Sequence, residues 1–293
     1  MRNPFEPKLN LPANPFRLAE VPEGGAIPRI IHQTFASENL HDSIKKNIEK
    51  IKLDNPRWEY RFYSDQDVVK FIKDQYGDYV FRYFNRINPI YGAARADLFR
   101  YLLMYKFGGV YLDIKSSLSE PLESVLLPSD RYLLSFWDND SGGSHERWGL
   151  HSEVNHISRG EYQQWHIVAA PGHPFLRAVI TNVLRNIEVY NPLFHGVGQP
   201  GVLCLTGPVA YTLAIAPLVK RYPHRLLTSN KELGFKYSIF ESEGGGGAHK
   251  SLFVHHYTQL SEPIVKIGTS QRIINSAIRF FYKAIGSRRF SND

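Results

Sequence analysis

Apolar residues recur along the chain in two periods. After a turn at Gly24-Gly25, the run Pro28-Arg29-Ile30-Ile31-His32-Gln33-Thr34 is apolar and ends in polar side chains, which predicts a short buried strand. Ile44, Ile48 and Ile51 then fall at helical spacing between Ser43 and Leu53, and Trp58 to Tyr63 returns to alternation behind Asn55-Pro56. The opening order is β, α, β. Ser64-Asp65-Gln66-Asp67 has the spacing of a capping box, with aspartate in the usual glutamate place, and opens a helix through Val68, Val69, Ile72 and Tyr76. A further helix is expected from Tyr79 to Ile87.

Tyr91 to Phe107 reads as a helix stopped by Gly108-Gly109. Val110 to Ile114 follows as a strand with Asp113 near its C-terminal end, the edge at which open α/β sheets bind ligands. Strands are expected over Tyr132 to Trp137 and Trp165 to Ala170, separated by a polar loop from Asp138 to Arg159. Pro174 to Tyr190 is a helix with Phe175, Val179, Val183 and Ile187 on one face. Asn191 to Gln199 reads as a loop, Thr206-Gly207-Pro208 opens another helix, and Leu252 to Tyr257 forms a last strand carrying His255 and His256. Gly244 to Gly247 lacks the following Gly-Lys-Ser/Thr of a phosphate loop and reads as a surface loop. The alternation predicts an α/β fold with one large domain, without internal repeat or clear linker.

Composition adds limits. With 293 residues, 43% apolar and 22% charged, the chain is an ordinary globular protein able to bury a sizeable core. One cysteine, Cys204, lies in the apolar run Val202 to Leu205 and reads as a buried core thiol. The first 16 residues are broken by four prolines and show no secretory signal, and no uncharged stretch of membrane-spanning length is expected. These readings place the protein in the cytoplasm. A net charge of +7 favours anionic partners such as phosphate-bearing small molecules or a bilayer surface; no recognition helix or zinc spacing accompanies it, so no nucleic acid is expected.

Asp113 offers a carboxylate at a strand end, while Arg95, Asp97 and Arg100 bring charge to the preceding helix. Singly each is an ordinary surface or structural ion pair. Together with Ile27-Pro-Arg-Ile-Ile-His-Gln-Thr34, Gly108-Gly-Val-Tyr-Leu-Asp113, Pro171-Gly-His-Pro-Phe175, Thr206-Gly-Pro208 and His255-His256, in that order, they resemble the glycosyltransferase family with the sugar-binding Asp-x-Asp motif, over about Ile27 to Tyr257. The resemblance implies a nucleotide-sugar glycosyltransferase A-type fold, a Rossmann-like mixed sheet flanked by helices. It also implies transfer of a hexose-type sugar, with retention, from a nucleoside diphosphate sugar to a glycan or lipid-linked acceptor.

Arg95 and Arg100 supply fixed positive charge for a donor's phosphate or for the aspartates; carried across, the resemblance places Gln33 and Thr34 beside the nucleotide, Asp97 on ribose or sugar hydroxyls, and Asp113 at the ribose and metal. His255 completes the metal end, for manganese or magnesium. The chain departs from the family at Asp113-Ile114-Lys115, where a cation replaces the second aspartate. Either Lys115 stands near the diphosphate and does part of the metal's electrostatic work, or it points into solvent and Asp113 with His255 binds the ion. Gln164 takes the place of a sugar-facing asparagine, with Gln163 an equal claimant. Asp138, Asn139 and Asp140 read as loop chemistry first and sugar ligands second. Two readings compete with transfer: a sugar-nucleotide hydrolase, and a sugar-nucleotide-binding protein that has lost catalysis at Lys115.

The chain divides into an N-terminal arm, 1–26, a catalytic domain, 27–268, and a basic amphipathic tail, 269–293. In the tail Ile274, Ala277, Ile278, Phe281 and Ile285 share a helical face among Arg272, Arg279, Lys283, Arg288 and Arg289. That pattern fits either a helix packed on the core or a peripheral contact with an anionic membrane on its inner face.

Overall fold

The first strand pair forms as the pattern predicts: β1 (Ile30–Thr34) lies parallel to β2 (Glu59–Tyr63), joined by α1 (Asp42–Asp54), whose Ile44, Ile48 and Ile51 are buried. The computed structural model of the protein describes residues 16–240 and 259–268. Ser64 caps α2 (Asp65–Arg86) in a reciprocal box, its hydroxyl accepting from Asp67 N while Asp67 accepts from Ser64 N. As expected, two helical segments lie between Asp65 and Arg86; they meet at a kink at Gly77, where φ is 70° and only glycine is unstrained.

Next come α3 (Gly92–Phe107) and β3 (Gly109–Leu112). Ten of the sixteen α3 residues are buried, so this is a central helix rather than an amphipathic surface one. Between the two elements, Gly108 and Gly109 adopt φ of 64° and 98° and sit against backbone. A Cβ on Gly108 would lie 2.6 Å from Pro171 N, and one on Gly109 would lie 2.5 Å from the Ile30 carbonyl. Gly109→Ala is therefore expected to cost more than about 2 kcal/mol, since strain and backbone overlap add; the midpoint of urea unfolding measures it.

The chain continues through β4 (Ser117–Leu118), α4 (Leu122–Val125), β5 (Tyr132–Ser135), β6 (His166–Ala169) and α5 (Pro174–Val189). Then follow α6 (Pro192–His195), α7 (Gly198–Leu205), α8 (Pro208–Ile215), β7 (Arg225–Leu227) and β8 (Phe235–Lys236). The main sheet has the order β2-β1-β3-β6-β5-β7, with β6 antiparallel to both neighbours and the other pairs parallel. It is the Rossmann-like mixed sheet flanked by helices that the sequence predicts. β4 and β8 form a separate antiparallel pair.

Alternation along β3 distributes side chains between two cores. Tyr111 joins α3, α5 and α8 residues on one face, while Val110 and Leu112 pack with Leu118, Leu122, Leu233 and Phe235 on the other. Asp113, two residues beyond Tyr111, returns to the α3 face.

Two expectations are corrected. The loop expected over Asn191 to Gln199 contains α6, capped by Asn191 accepting from Leu193 N, and the start of α7; its glycines and prolines mask a helical path stabilised by burial. Residues 198–218 are an uncharged, apolar stretch long enough by composition to span a membrane, contrary to the expectation that none exists. Here 72% of that window is buried, and the stretch is core, broken between α7 and α8. Within the expected N-terminal arm, Phe16 and Leu18 are buried, and Gly24 N donates to the Pro171 carbonyl. The expected strand with His255 and His256, the glycine run and the tail lie outside the described residues.

Candidate functional site

Because β3 ends at Leu112, Asp113 stands at the carboxyl edge of the sheet on the α3 side, and its backbone N–H donates to the Trp165 carbonyl at 2.8 Å. The Gln33 side-chain amide donates to the Asp113 carbonyl at 3.1 Å and accepts from the Tyr60 hydroxyl at 2.8 Å. Gln33 is fully buried and both ends of its amide are engaged, so it braces the loop of Asp113. Thr34, at the end of β1, donates to the Tyr63 carbonyl and remains partly exposed at that edge.

On α3, Asp97 and Arg100 are three residues apart and share a face. The Arg100 guanidinium lies 3.3 Å from Asp97 Oδ1 and 3.1 Å from Asp113 Oδ1, with its plane 4.8 Å from the Tyr111 ring. It also donates to the main-chain and side-chain carbonyls of Gln164, both at 2.9 Å. Asp97 accepts from Gln164 Nε2 at 3.1 Å and from the Thr206 hydroxyl at 2.8 Å. The two carboxylates thus converge on one guanidinium, and Gln164 and Thr206 close the network behind it.

Their exposures differ. The Asp97 side chain is 4% exposed and that of Asp113 25%. Burial pushes the Asp97 carboxyl above its ordinary range, against the pull of Arg100, Thr206 and Gln164. Burial pulls Arg100 down, but Asp113, Tyr111 and Asp97 more than offset it and hold the guanidinium above its ordinary value. Asp97, expected on ribose or sugar hydroxyls, has both oxygens engaged by the protein; Asp113 is the acid of this network that faces outward. Gln164, expected to face the sugar, bonds to Asp97 and Arg100, while the rival Gln163 is tied to Ser135 and Asn230 elsewhere.

Arg95 is not brought into the cluster. Two residues before Asp97, it sits about 200° around the helix, and its guanidinium lies over the Phe84 ring at 4.1 Å. Lys115 does not point into solvent: it is 7% exposed, with its ammonium 3.7 Å above the Tyr237 ring. Asp138 is held below the usual carboxylate range by Lys231 and by Ser144, Asn139 donates to the Trp148 and Arg159 carbonyls, and Asp140 pairs with Arg159, so this run is loop chemistry. Burial pushes the Cys204 thiol up to about 12, as expected of a core cysteine.

Residues able to hold a divalent cation are sparse. Among the described residues no three His, Cys, Asp or Glu side chains cluster to bind a metal; His255 lies outside them. Asp113 is already paired with Arg100, and the next position in the family motif is the cation Lys115.

His32 donates through Nε2 to the Gly108 carbonyl and accepts at Nδ1 from Tyr63, each at 3.0 Å; it is structural, as is His173, which caps α5. Burial lowers His32 to about 4 and His166 to about 3. Both rings stay neutral in the folded state, so below their ordinary 6.5 the unfolded chain binds more protons. Stability is expected to fall as pH drops from about 6.5 toward 4, by roughly 1.4 kcal/mol per pH unit for each ring. Melting temperature against pH checks this, and His166→Gln should flatten the slope.

A cavity of about 600 Å³ opens at the other end of β3, lined by Tyr105, Gly172, Arg177, Arg185 and Tyr222 among others. None of Asp97, Arg100 or Asp113 lines it, so by chemistry the carboxyl edge is the functional candidate.

Residues 41–133 match the family described as glycosyltransferase sugar-binding region containing DXD motif. The chain is similar to mannosyl phosphorylinositol ceramide synthase SUR1 of Saccharomyces cerevisiae, 31% identical over 36% of this chain and 27% of the relative. It is also similar to two Schizosaccharomyces pombe proteins, inositol phosphoceramide mannosyltransferase 3 (27% identical, 56% of this chain, 39% of the relative) and inositol phosphoceramide mannosyltransferase 1 (24%, 69% and 56%). The chain thus spans between about a quarter and just over half the length of these relatives. Among solved structures it is similar to the PaToxG glycosyltransferase, with a TM-score of 0.48 and 14% identity over 84% of this chain and 83% of that one.

Proposed function

We propose that the chain transfers a hexose-type sugar, with retention, from a nucleoside diphosphate sugar to a glycan or lipid-linked acceptor. The observation that carries this reading is the convergence of Asp97 and Asp113 on Arg100 at the carboxyl edge of the sheet. The family match over residues 41–133 supports transfer chemistry, and the mannosyl names of the relatives favour mannose as the hexose.

In this reading Asp113, the exposed acid, accepts hydroxyl hydrogen bonds from the donor, and Arg100 fixes its orientation. Asp97, Gln164 and Thr206 are positioning residues that hold Arg100. Thr34 lies toward the nucleotide. When the bond from the anomeric carbon to the diphosphate breaks, negative charge grows on the leaving oxygen; a preorganised cation there lowers the barrier, and Lys115 is the residue proposed for it. The tail, 269–293, is proposed to hold the protein at an anionic membrane surface.

Incubation with GDP- and UDP-hexoses, with and without EDTA, tests the reading. Sugar transfer that persists after chelation is expected, and anomeric analysis of the product checks retention. Lys115 in place of the second aspartate favours one rival, a binder without catalysis; donor binding without turnover would establish it. Donor consumed without an acceptor product would make the protein a hydrolase.

A further inference from the structure

β5 runs parallel to β3, because each is antiparallel to β6, so its carboxyl end reaches the same edge as Asp113. There the chain continues into Trp137 and a loop that returns at Gly160. Trp137, His145, Trp148 and Tyr237 meet in one cluster: Trp137 lies 5.1 Å from both Trp148 and Tyr237, and His145 lies 4.9 Å from both Trp137 and Trp148. Tyr237 bridges to Trp165, whose carbonyl holds Asp113 N, and covers the ammonium of Lys115. The aromatic cluster is therefore continuous with the proposed donor site.

Its outer member is displayed. Trp148 is 39% exposed and its neighbour Leu150 53%, whereas Trp137 and Trp165 are buried. Trp148 is flanked by Arg147 and Gly149, both left-handed, with φ of 65° and 76°. For arginine that conformation is strained and persists only where the surroundings enforce it. Asn139, itself buried, enforces it: its amide donates to the Trp148 carbonyl at 2.7 Å, and its own carbonyl accepts from Arg147 N. On the far side a Cβ at Gly149 would meet Trp137 Cδ1 at 2.7 Å, so this close approach requires glycine. The loop is built to hold an indole at the rim in a fixed pose.

Resting on the donor reading above, we infer that the Trp148 face is the acceptor subsite and that it takes a pyranose ring. A pyranose has a face of C–H groups that covers an aromatic ring and a rim of hydroxyls that needs polar partners. The loop that carries Trp148, with its neighbours, also holds Arg147, Asp138 paired with Lys231, and His151 paired with Glu161, charged groups suited to hydroxyls. In that reading the donor's hydroxyls lie at Asp113 and its diphosphate toward Lys115. The platform lies beyond Tyr237 from that point, which assigns it to the acceptor.

The test uses the full chain, with methyl α-D-mannopyranoside as the acceptor probe in saturation-transfer NMR and GDP-mannose and UDP-hexoses as donor probes in calorimetry. Trp148→Ala is expected to weaken glycoside binding at least about tenfold, with donor affinity and melting temperature nearly unchanged, and Trp148→Phe to fall between. Glycoside binding unaffected by Trp148→Ala, or donor binding weakened equally, would overturn the inference. A wild-type chain that binds donors but no glycoside would also overturn it while leaving the transfer reading standing. Failure to bind any donor would overturn that reading alone; glycoside binding lost with Trp148 would still support the platform.

Discussion

Arg100→Ala is expected to destabilise the domain by about 3–5 kcal/mol and to abolish donor binding, because it strips a buried charge from two carboxylates at once. Asp97 would be left 4% exposed, with Thr206 and Gln164 as its partners. A carboxylate in that position takes up a proton more readily, so its folded pKa, already above the ordinary 3.8, rises further. The sign follows: between 3.8 and that raised value the folded state binds the additional proton, and stability falls as pH rises. The defect of the variant should thus be smaller near pH 5 than near pH 7. Adding Asp97→Asn to Arg100→Ala should recover part of the loss, a coupling that urea unfolding of both single variants and the double variant measures. Equal losses at both pH values, without recovery, would show that Arg100 acts through packing alone.

Asp113→Asn is expected to behave in the opposite way. Its side chain is 25% exposed and lies at the end of the pairing, so unfolding should change little. Turnover per donor bound should fall, since the amide keeps the size but loses a charge-assisted acceptor; such bonds are worth about 1.5–3 kcal/mol, roughly 10- to 100-fold in kcat/KM. The combination of small stability loss and large kinetic loss separates the outward-facing acid from Asp97. For Asp97→Asn the larger share should appear in stability. Parallel melting curves and donor kinetics on the two variants decide it.

The framework was largely legible because local signals agreed with tertiary packing. The box at Ser64 and Asp67, the stop at Gly108-Gly109 and the placement of Asp113 at a strand end all rest on short-range chemistry that burial reinforces. The spacing of Asp97 and Arg100 on one helical turn likewise put both on a common face. Other features depend on partners far apart in sequence. Gln33 reads as a polar residue at a strand end, yet its amide is consumed by Tyr60 and Asp113, 27 and 80 residues away. Thr206 stood in a recognised block, but nothing local reveals that its hydroxyl reaches Asp97, 109 residues away. Arg95 misled because its proximity in sequence concealed a position on another side of the helix, over Phe84. The stretch 191–199 misled through composition: glycine and proline argued for a loop, whereas the Asn191 cap opens α6 and burial stabilises α7.

The most direct measurement is a calorimetric titration of GDP- and UDP-hexoses into the wild-type protein and Asp113→Asn. Saturable uptake of at least one of these nucleotide sugars by the wild type is predicted, weakened about tenfold or more by an asparagine that leaves the melting temperature in place. Affinity identical in the two proteins, or none in either, would contradict the assignment of this carboxyl edge to a sugar donor.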